Sequence, residues 1–327
     1  MRRILIMGLL IAGLLAGAAA WWLNQPLALS SETVDLSIEP GTSPRGVAQA
    51  AAEAGVDVNP TLLFWWFRLS GDARQIRAGS YELARGATPR TLLQMLVRGE
   101  ESLRSVTLVE GWNWRQVRQA LSRAEQLRPD TENLSDEMIM SQLGRAGLPA
   151  EGRFFPDTYT YAKGSSDLAV LRRALHAMEK KLDAAWAQRA PDTPLKTPTE
   201  ALILASIVEK ETGKPADRAL IAGVFVNRLR IGMMLQTDPT VIYGLGESFD
   251  GNLRKRHLQA DTAWNTYTRA GLPPTPIAMP GKASLMAAAQ PVTSRALYFV
   301  ARGDGSSQFS DNLDAHNRAV NKYQRGQ

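Results

Sequence analysis

From Ile4 to Ser31 the chain carries no charged residue, and Ile4 to Leu23 is apolar almost throughout. Such a run is about the ~20 residues that a helix needs to cross ~30 Å of hydrocarbon. It predicts a membrane-spanning helix, because an apolar segment of this length has no soluble partner of its own to cover it. Arg2 and Arg3 flank it on the N-terminal side, which places that end in the cytoplasm, and Trp21-Trp22 is expected at the far interface. Ala16 to Ala20 also offers small residues of the kind a signal peptidase accepts, so a cleaved leader is the alternative to a retained anchor. Under either reading the rest of the chain works outside the cytoplasm.

That location narrows the chemistry. There are no cysteines, which removes disulfides, thiolate metal sites and a cysteine nucleophile. The three histidines, His176, His257 and His316, lack metal-ligand spacing, and no phosphate-cradling Gly-x-x-x-x-Gly-Lys loop is present. Neither a metal nor another cofactor is therefore expected. The formal net charge of +6 favours an anionic partner. A chain anchored outside the cytoplasm is not expected to meet nucleic acid, which leaves the membrane surface or an anionic polymer.

The 327 residues are enough for two or three domains. Val34 to Ile38 and Val106 to Val109 read as short strands, each followed by a glycine turn and an apolar-periodic helix, a weak repeat about seventy residues apart. The segment 24–100 predicts a small β-α-α-β module whose order and size resemble LysM-like domains, which grip peptidoglycan. Leu62 to Leu69, with Phe64, Trp65, Trp66 and Phe67, is too aromatic on all sides for a free helix and is expected to pack in a core. The organisation expected is α+β: an anchor at 1–23, the LysM-like module at 24–100, a second small α+β segment at 101–165, and a mixed α+β catalytic domain at 166–327. Within the last, Ser165 to Pro198 reads as a charged helix ending in a proline-rich hinge.

Thr197-Pro198-Thr199-Glu200 has the form of a capping box with proline at the first helical position, and Gly213 is a stop, so one helix is expected over 198–212. At 100° per residue, Leu204, Ile207 and Val208 make an apolar stripe with Glu211 in its middle, whereas Glu209 falls on the opposite, solvated side. A carboxyl on the core-facing stripe is desolvated, and in the last helical turn the macrodipole also opposes its charge. Both effects raise its pKa, the state that a general acid needs near neutral pH. The alternative is a structural ion pair of Glu211 with Lys214 or Arg218.

Ser206-Ile-Val-Glu-Lys-Glu-Thr212, Val226-Asn-Arg-Leu-Arg-Ile-Gly-Met233, Leu235-Gln-Thr-Asp-Pro-Thr-Val-Ile-Tyr-Gly244, Asn265-Thr-Tyr267 and Gly271-Leu-Pro-Pro274 together resemble the endolytic murein transglycosylase (YceG-like) family. The resemblance spans roughly residues 150 to 320. It implies a lytic reaction on the MurNAc-GlcNAc β-1,4 bond of peptidoglycan glycan strands, in which the sugar's own 6-hydroxyl closes a 1,6-anhydro ring. It implies Glu211, followed by Thr212, as the acid. It also implies a single-pass protein of the cell inner membrane with a periplasmic catalytic part that trims nascent strands beside cell-wall synthases.

Gln236, Thr237, Thr240, Tyr243, Asn265 and Tyr267 are neutral donors and acceptors suited to sugar hydroxyl and acetamido groups, and are expected at the substrate together with Thr212. A lyase needs no second carboxylate. Asp238 is therefore expected in a capped turn or on a sugar. Gln308 stands where the family suggests a histidine, and His316 is expected in packing. A non-catalytic peptidoglycan-binding scaffold is the competing function.

Overall fold

The structure, a computed structural model, describes residues 2–100 and 102–326. Met1 of the expected anchor and Glu101, where the second small segment was expected to begin, lie outside the described residues. The fold is mixed α+β.

Helix α1, Arg2–Leu23, contains one stretch, Ile6–Leu23, long and apolar enough to cross a membrane. Leu10, Leu14 and Leu15 on it are exposed, a surface that water does not tolerate in isolation. The chain divides into two compact units: residues 1–104 with 160–165, and residues 105–159 with 166–327.

The first unit contains strands β1 (Ala28–Leu29), β2 (Thr33–Ile38), β3 (Val56–Asp57) and β4 (Gly79–Ala84), and helices α2 (Pro44–Glu53), α3 (Pro60–Leu69) and α4 (Pro89–Arg98). Each helix begins with a polar N-cap followed by proline: Ser43-Pro44, Asn59-Pro60 and Thr88-Pro89. The cap oxygen satisfies an orphan amide, and proline has no amide to orphan. β2 and β4 pair antiparallel with Val34 opposite Leu83 and Leu36 opposite Tyr81. Alternation sends Val34, Leu36 and Ile38 inward, onto a core shared with Val47, Leu63, Phe67 and Leu96.

Two expectations change here. Trp22 packs against this core, leaving Trp21 as the exposed tryptophan at the end of α1. In α3 only Leu63 and Phe67 are buried, while Leu62, Trp65 and Leu69 are exposed, so a ten-residue helix lying on one core hides one face however apolar the others are.

β5 (Leu103–Thr107) pairs with β6 (Thr158–Ala162), and both strands cross the boundary between the units. The segment expected as separate at 101–165 is thus divided: 105–159, including α5 (Trp114–Ser122) and α6 (Asp136–Gln142), belongs with the expected catalytic part.

In the second unit α8 (Pro198–Glu211) packs against α7 (Asp167–Ala187), α9 (Pro215–Arg230) and α12 (Lys282–Ala289). α7 is no hinge: Val170, Leu171, Ala174, Leu175 and Met178 are buried, and the proline-rich stretch after it is tied down by Ala190 N–H to Ala289 O at 2.9 Å and by Arg230 to Asp192 at 2.6 Å. Gly223 lets α9 approach the 290–294 loop, since a Cβ there would lie 2.5 Å from the Val292 carbonyl oxygen. The order continues through α10 (Asp238–Leu245), α11 (Lys255–Gln259) and α12 to the antiparallel hairpin β7 (Tyr298–Ala301) and β8 (Ser307–Ser310), with Val300 opposite Gln308, and ends in α13 (Leu313–Gln324).

Candidate active site

α8 starts where the sequence says, but only half of the capping box forms. The Thr197 hydroxyl accepts from Glu200 N–H, and the Glu200 carboxylate accepts from Lys196 N–H at 2.5 Å. The helix ends at Glu211 because Thr212 turns extended (φ −149°), its hydroxyl accepting from Lys214 N–H, and not because Gly213 adopts a left-handed cap. Thr212 is thereby a turn residue.

The expected single stripe on α8 is wrong. All eight residues from Ala201 to Val208 are buried, as an uncharged run surrounded by three helices must be. Glu209, expected in solvent, has a side chain only 5% exposed. It accepts from Gly281 N–H at 2.9 Å and faces the Arg218 guanidinium at 3.5 Å. Arg218 therefore serves Glu209, not Glu211.

Glu211 has a different environment. Its Oε1 accepts the Thr237 hydroxyl, and no cation forms an ion pair with it among the described residues. Burial raises its pKa; the Thr237 hydrogen bond opposes that, the charge of nearby Asp238 adds to it, and Arg228 opposes it more weakly. The residue keeps a partial opening to solvent. Oε1 is occupied by Thr237, and Oε2 makes no hydrogen bond among the described residues.

Three backbone features deliver Thr237. Gln236 has φ +48°, a left-handed conformation that costs an L-residue and marks stored strain. Its N–H reaches Thr266 O at 3.0 Å, and Thr237 N–H bonds the Thr266 hydroxyl at 3.1 Å. Thr237 precedes α10 as its N-cap but makes no side-chain cap, because its hydroxyl is committed to Glu211. The capped turn expected here is thus corrected.

Asp238 is exposed and accepts the Tyr267 hydroxyl at 2.5 Å. Burial and Asp238 raise the Tyr267 pKa, keeping it a donor. Behind them lies Arg228, only 7% exposed, donating to Leu297 O at 2.7 Å and Leu235 O at 2.6 Å and so fixing the approach to Gln236.

Not every expected contact reaches this site. Asn265 is fully buried, donating to the carbonyls of His257, Leu258 and Ala260 and accepting from Tyr267 N–H; it braces a loop and has nothing left for a sugar. Thr240 is equally buried between Thr237 O and the Thr266 hydroxyl. Both are withdrawn as substrate contacts. Thr237, Asp238 and Tyr267 lie near Glu211, with Gln236 preceding Thr237 in the chain, whereas Tyr243 points to a different carboxylate. His316 stacks on Tyr298 at 5.1 Å, and Gln308 accepts from Arg302 at 2.6 Å.

The YceG-like family matches residues 36–322. The chain belongs to the YceG-like family. An endolytic murein transglycosylase of Bacillus subtilis is 30% identical to it over 311 residues, covering 90% of this chain and 86% of the relative. One from Streptococcus pneumoniae is 27% identical over 324 residues, covering 89% of this chain but 58% of the relative, so the chain spans little more than half of that protein. The crystal structure of a yceG-like protein from Listeria monocytogenes superposes with a TM-score of 0.55 at 26% identity, covering 88% of this chain and 99% of that one.

Within this YceG-like chain, sequence reasoning missed Glu151. It is 7% exposed, both its oxygens accept from Trp114 N–H (3.1 and 3.0 Å), and Oε2 also accepts the Tyr243 hydroxyl at 3.0 Å. Gly152 (φ +77°) admits this packing, since a Cβ there would collide with Pro276. The signal was a glutamate set before Gly152 and the apolar Phe154-Phe155-Pro156.

Burial pushes the Glu151 carboxyl up to about 7, the hydrogen bonds from Trp114 and Tyr243 opposing it. A raised folded-state pKa gives stability that is complete below the unfolded value and lost as pH climbs through the folded one. We therefore expect the stability of the protein to fall by about 3 kcal/mol between pH ~4.5 and pH ~7 on account of this group. Urea denaturation across that range should show the Glu151→Gln variant lacking this component; parallel pH curves for the two proteins would refute the assignment.

Proposed function

We propose that this chain is a membrane-anchored peptidoglycan lytic transglycosylase in which Glu211 is the general acid and base. The observation that carries the reading is the Glu211 carboxyl itself: desolvated, without an ion pair among the described residues, one oxygen held by Thr237 and the other open. The names of its relatives, endolytic murein transglycosylases, supply the substrate class.

In this mechanism Glu211 gives its proton to the glycosidic oxygen between MurNAc and GlcNAc as that bond breaks. The 6-hydroxyl of MurNAc bonds to C1 and returns its proton to the Glu211 carboxylate. A 1,6-anhydro end forms, no water is consumed, and the enzyme recovers its starting protonation. Thr237 fixes the carboxyl, Asp238 favours its protonated form, and Tyr267 and Gln236 border the reacting sugar. Helix α1 anchors the chain in the inner membrane with its N-terminus cytoplasmic and both units periplasmic. The β2-α2-β3-α3-β4 order of the first unit, with β2 and β4 paired, supports a LysM-like, glycan-gripping role.

The position of Asp238 beside Glu211 favours a second reading, hydrolysis with Asp238 handling a water molecule. Digestion of purified sacculi followed by mass spectrometry separates the alternatives. Anhydro ends that vanish in Glu211→Gln support the proposal, reducing ends favour the hydrolase, and binding without fragments would leave a scaffold.

The pH profile gives an independent check. Activity requires protonated Glu211, so kcat/KM falls as pH rises through its pKa. Thr237→Val removes a hydrogen bond that favours the carboxylate and should move this fall to higher pH, whereas Asp238→Asn removes a repelling charge and should move it lower. Profiles shifting together, or not at all, would remove Glu211 as the titrating acid.

A further inference from the structure

Pro239 and Lys210, the sequence neighbours of Asp238 and Glu211, also line a cleft of about 700 Å³ with Glu151 in its wall. Its other walls are unusually aromatic: Trp114, Tyr243, Phe249 and Trp264. Tyr243 and Trp264 meet edge to face at 5.5 Å. Tyr243, Phe249 and Trp264 are each partly exposed, so their rings are available to a ligand.

Among the lining charges Arg115 pairs with Glu247 at 2.6 Å and Lys210 donates to Gly111 O at 3.2 Å, which leaves neutral polar groups to meet a hydroxyl-rich guest. The Trp114 indole N–H in the cleft wall is buried and has no partner among the described residues. The side-chain oxygens of Asn113 and Gln116 are spent on each other's backbone amides in a capping box, which leaves their amide NH₂ groups as donors at the cleft. The Tyr243 hydroxyl gives its hydrogen to Glu151, so its oxygen is presented as an acceptor. Flat faces for the C–H side of a pyranose, donors for an acetamido carbonyl and an acceptor for a hydroxyl are the requirements of an N-acetylated sugar.

We propose that this cleft is a second saccharide subsite, holding a non-reacting N-acetylhexosamine unit of the strand, with Tyr243 as its central contact and Glu151 as the residue that positions Tyr243. The proposal rests on the reading of the substrate as a glycan strand, but its test does not need turnover. The full chain in detergent, carrying Glu211→Gln, is titrated with tetra-N-acetylchitotetraose by calorimetry, alone and combined with Tyr243→Phe, Phe249→Ala or Glu151→Gln. Phe249→Ala alters a partly exposed residue and should leave the fold intact.

Each added substitution should weaken the chitotetraose complex by about three- to tenfold. With Glu211 present, the same three should raise KM on glycan strands by a similar factor while kcat changes less than twofold. A KM effect without a kcat effect is what a positioning role for Glu151 requires and what general loosening of the fold would not give. Absence of binding by the parent, or binding unchanged by both Tyr243→Phe and Phe249→Ala, overturns the subsite. Cleft-dependent binding by a wild-type protein that makes no fragments would instead overturn the catalytic reading and leave the subsite standing.

Discussion

Glu211→Gln should leave a folded protein whose turnover of glycan strands is reduced by about 10²- to 10⁴-fold, the usual worth of a positioned general acid. The amide keeps the shape of the side chain and can still accept the Thr237 hydroxyl, so the loss isolates proton donation. Stability should move the other way. A carboxyl whose pKa is raised by burial destabilises the fold once the pH exceeds its unfolded value, and the amide has no charge to desolvate. The variant should therefore unfold at or above the temperature of the parent at pH 8. Calorimetry and a strand-cleavage assay on the same preparation check both statements, and an inactive variant that is also less stable would point to a structural role.

Glu209, two residues earlier, should behave in the opposite way. Its carboxylate is the acceptor of Gly281 N–H and the ion-pair partner of Arg218 through Nη2, while the Arg218 Nε is buried without a partner among the described residues. Breaking a buried pair from one side strands the other charge and costs ~3–5 kcal/mol. At 3.5 Å the Arg218 contact is long, so we expect about 3 kcal/mol for Glu209→Ala, read by urea denaturation. Activity per folded molecule should change less than tenfold. If Glu209→Ala instead abolished activity with stability intact, the acid would have been assigned to the wrong glutamate.

This contrast also shows how far the sequence could be read. The apolar run placed α1, apolar periodicity placed α2, and a cap with its proline placed α8, because those signals are local. The wheel separated Glu209 from Glu211 for a reason that does not hold: it assumed that α8 has a wet side, and α7, α9 and α12 leave none along Ala201 to Val208. Which glutamate receives a cation depends on α9 delivering Arg218 and on the turn before α12 delivering Gly281, contacts nine and seventy-two residues away.

The expected substrate contacts divided along the same line. The strained turn at Gln236 brings Thr237 onto Glu211 and Asp238 near it, and Tyr267 joins through Asp238, whereas Asn265 and Thr240 have the same chemistry but spend it on backbone. Residue type names a capacity to hydrogen-bond and says nothing of whether the partner is protein or ligand. Glu151 escaped notice because its donors, Trp114 N–H and the Tyr243 hydroxyl, come from thirty-seven residues before it and ninety-two after.

The protonation of one side chain underlies the catalytic account, and it can be observed directly. The ¹³Cδ resonance of Glu211, assigned by its disappearance in Glu211→Gln and followed by NMR through a pH titration of the substrate-free protein, should titrate above the ordinary glutamate value. Titration at or below that value would mean a solvated or cation-paired carboxylate, which cannot act as the acid described here.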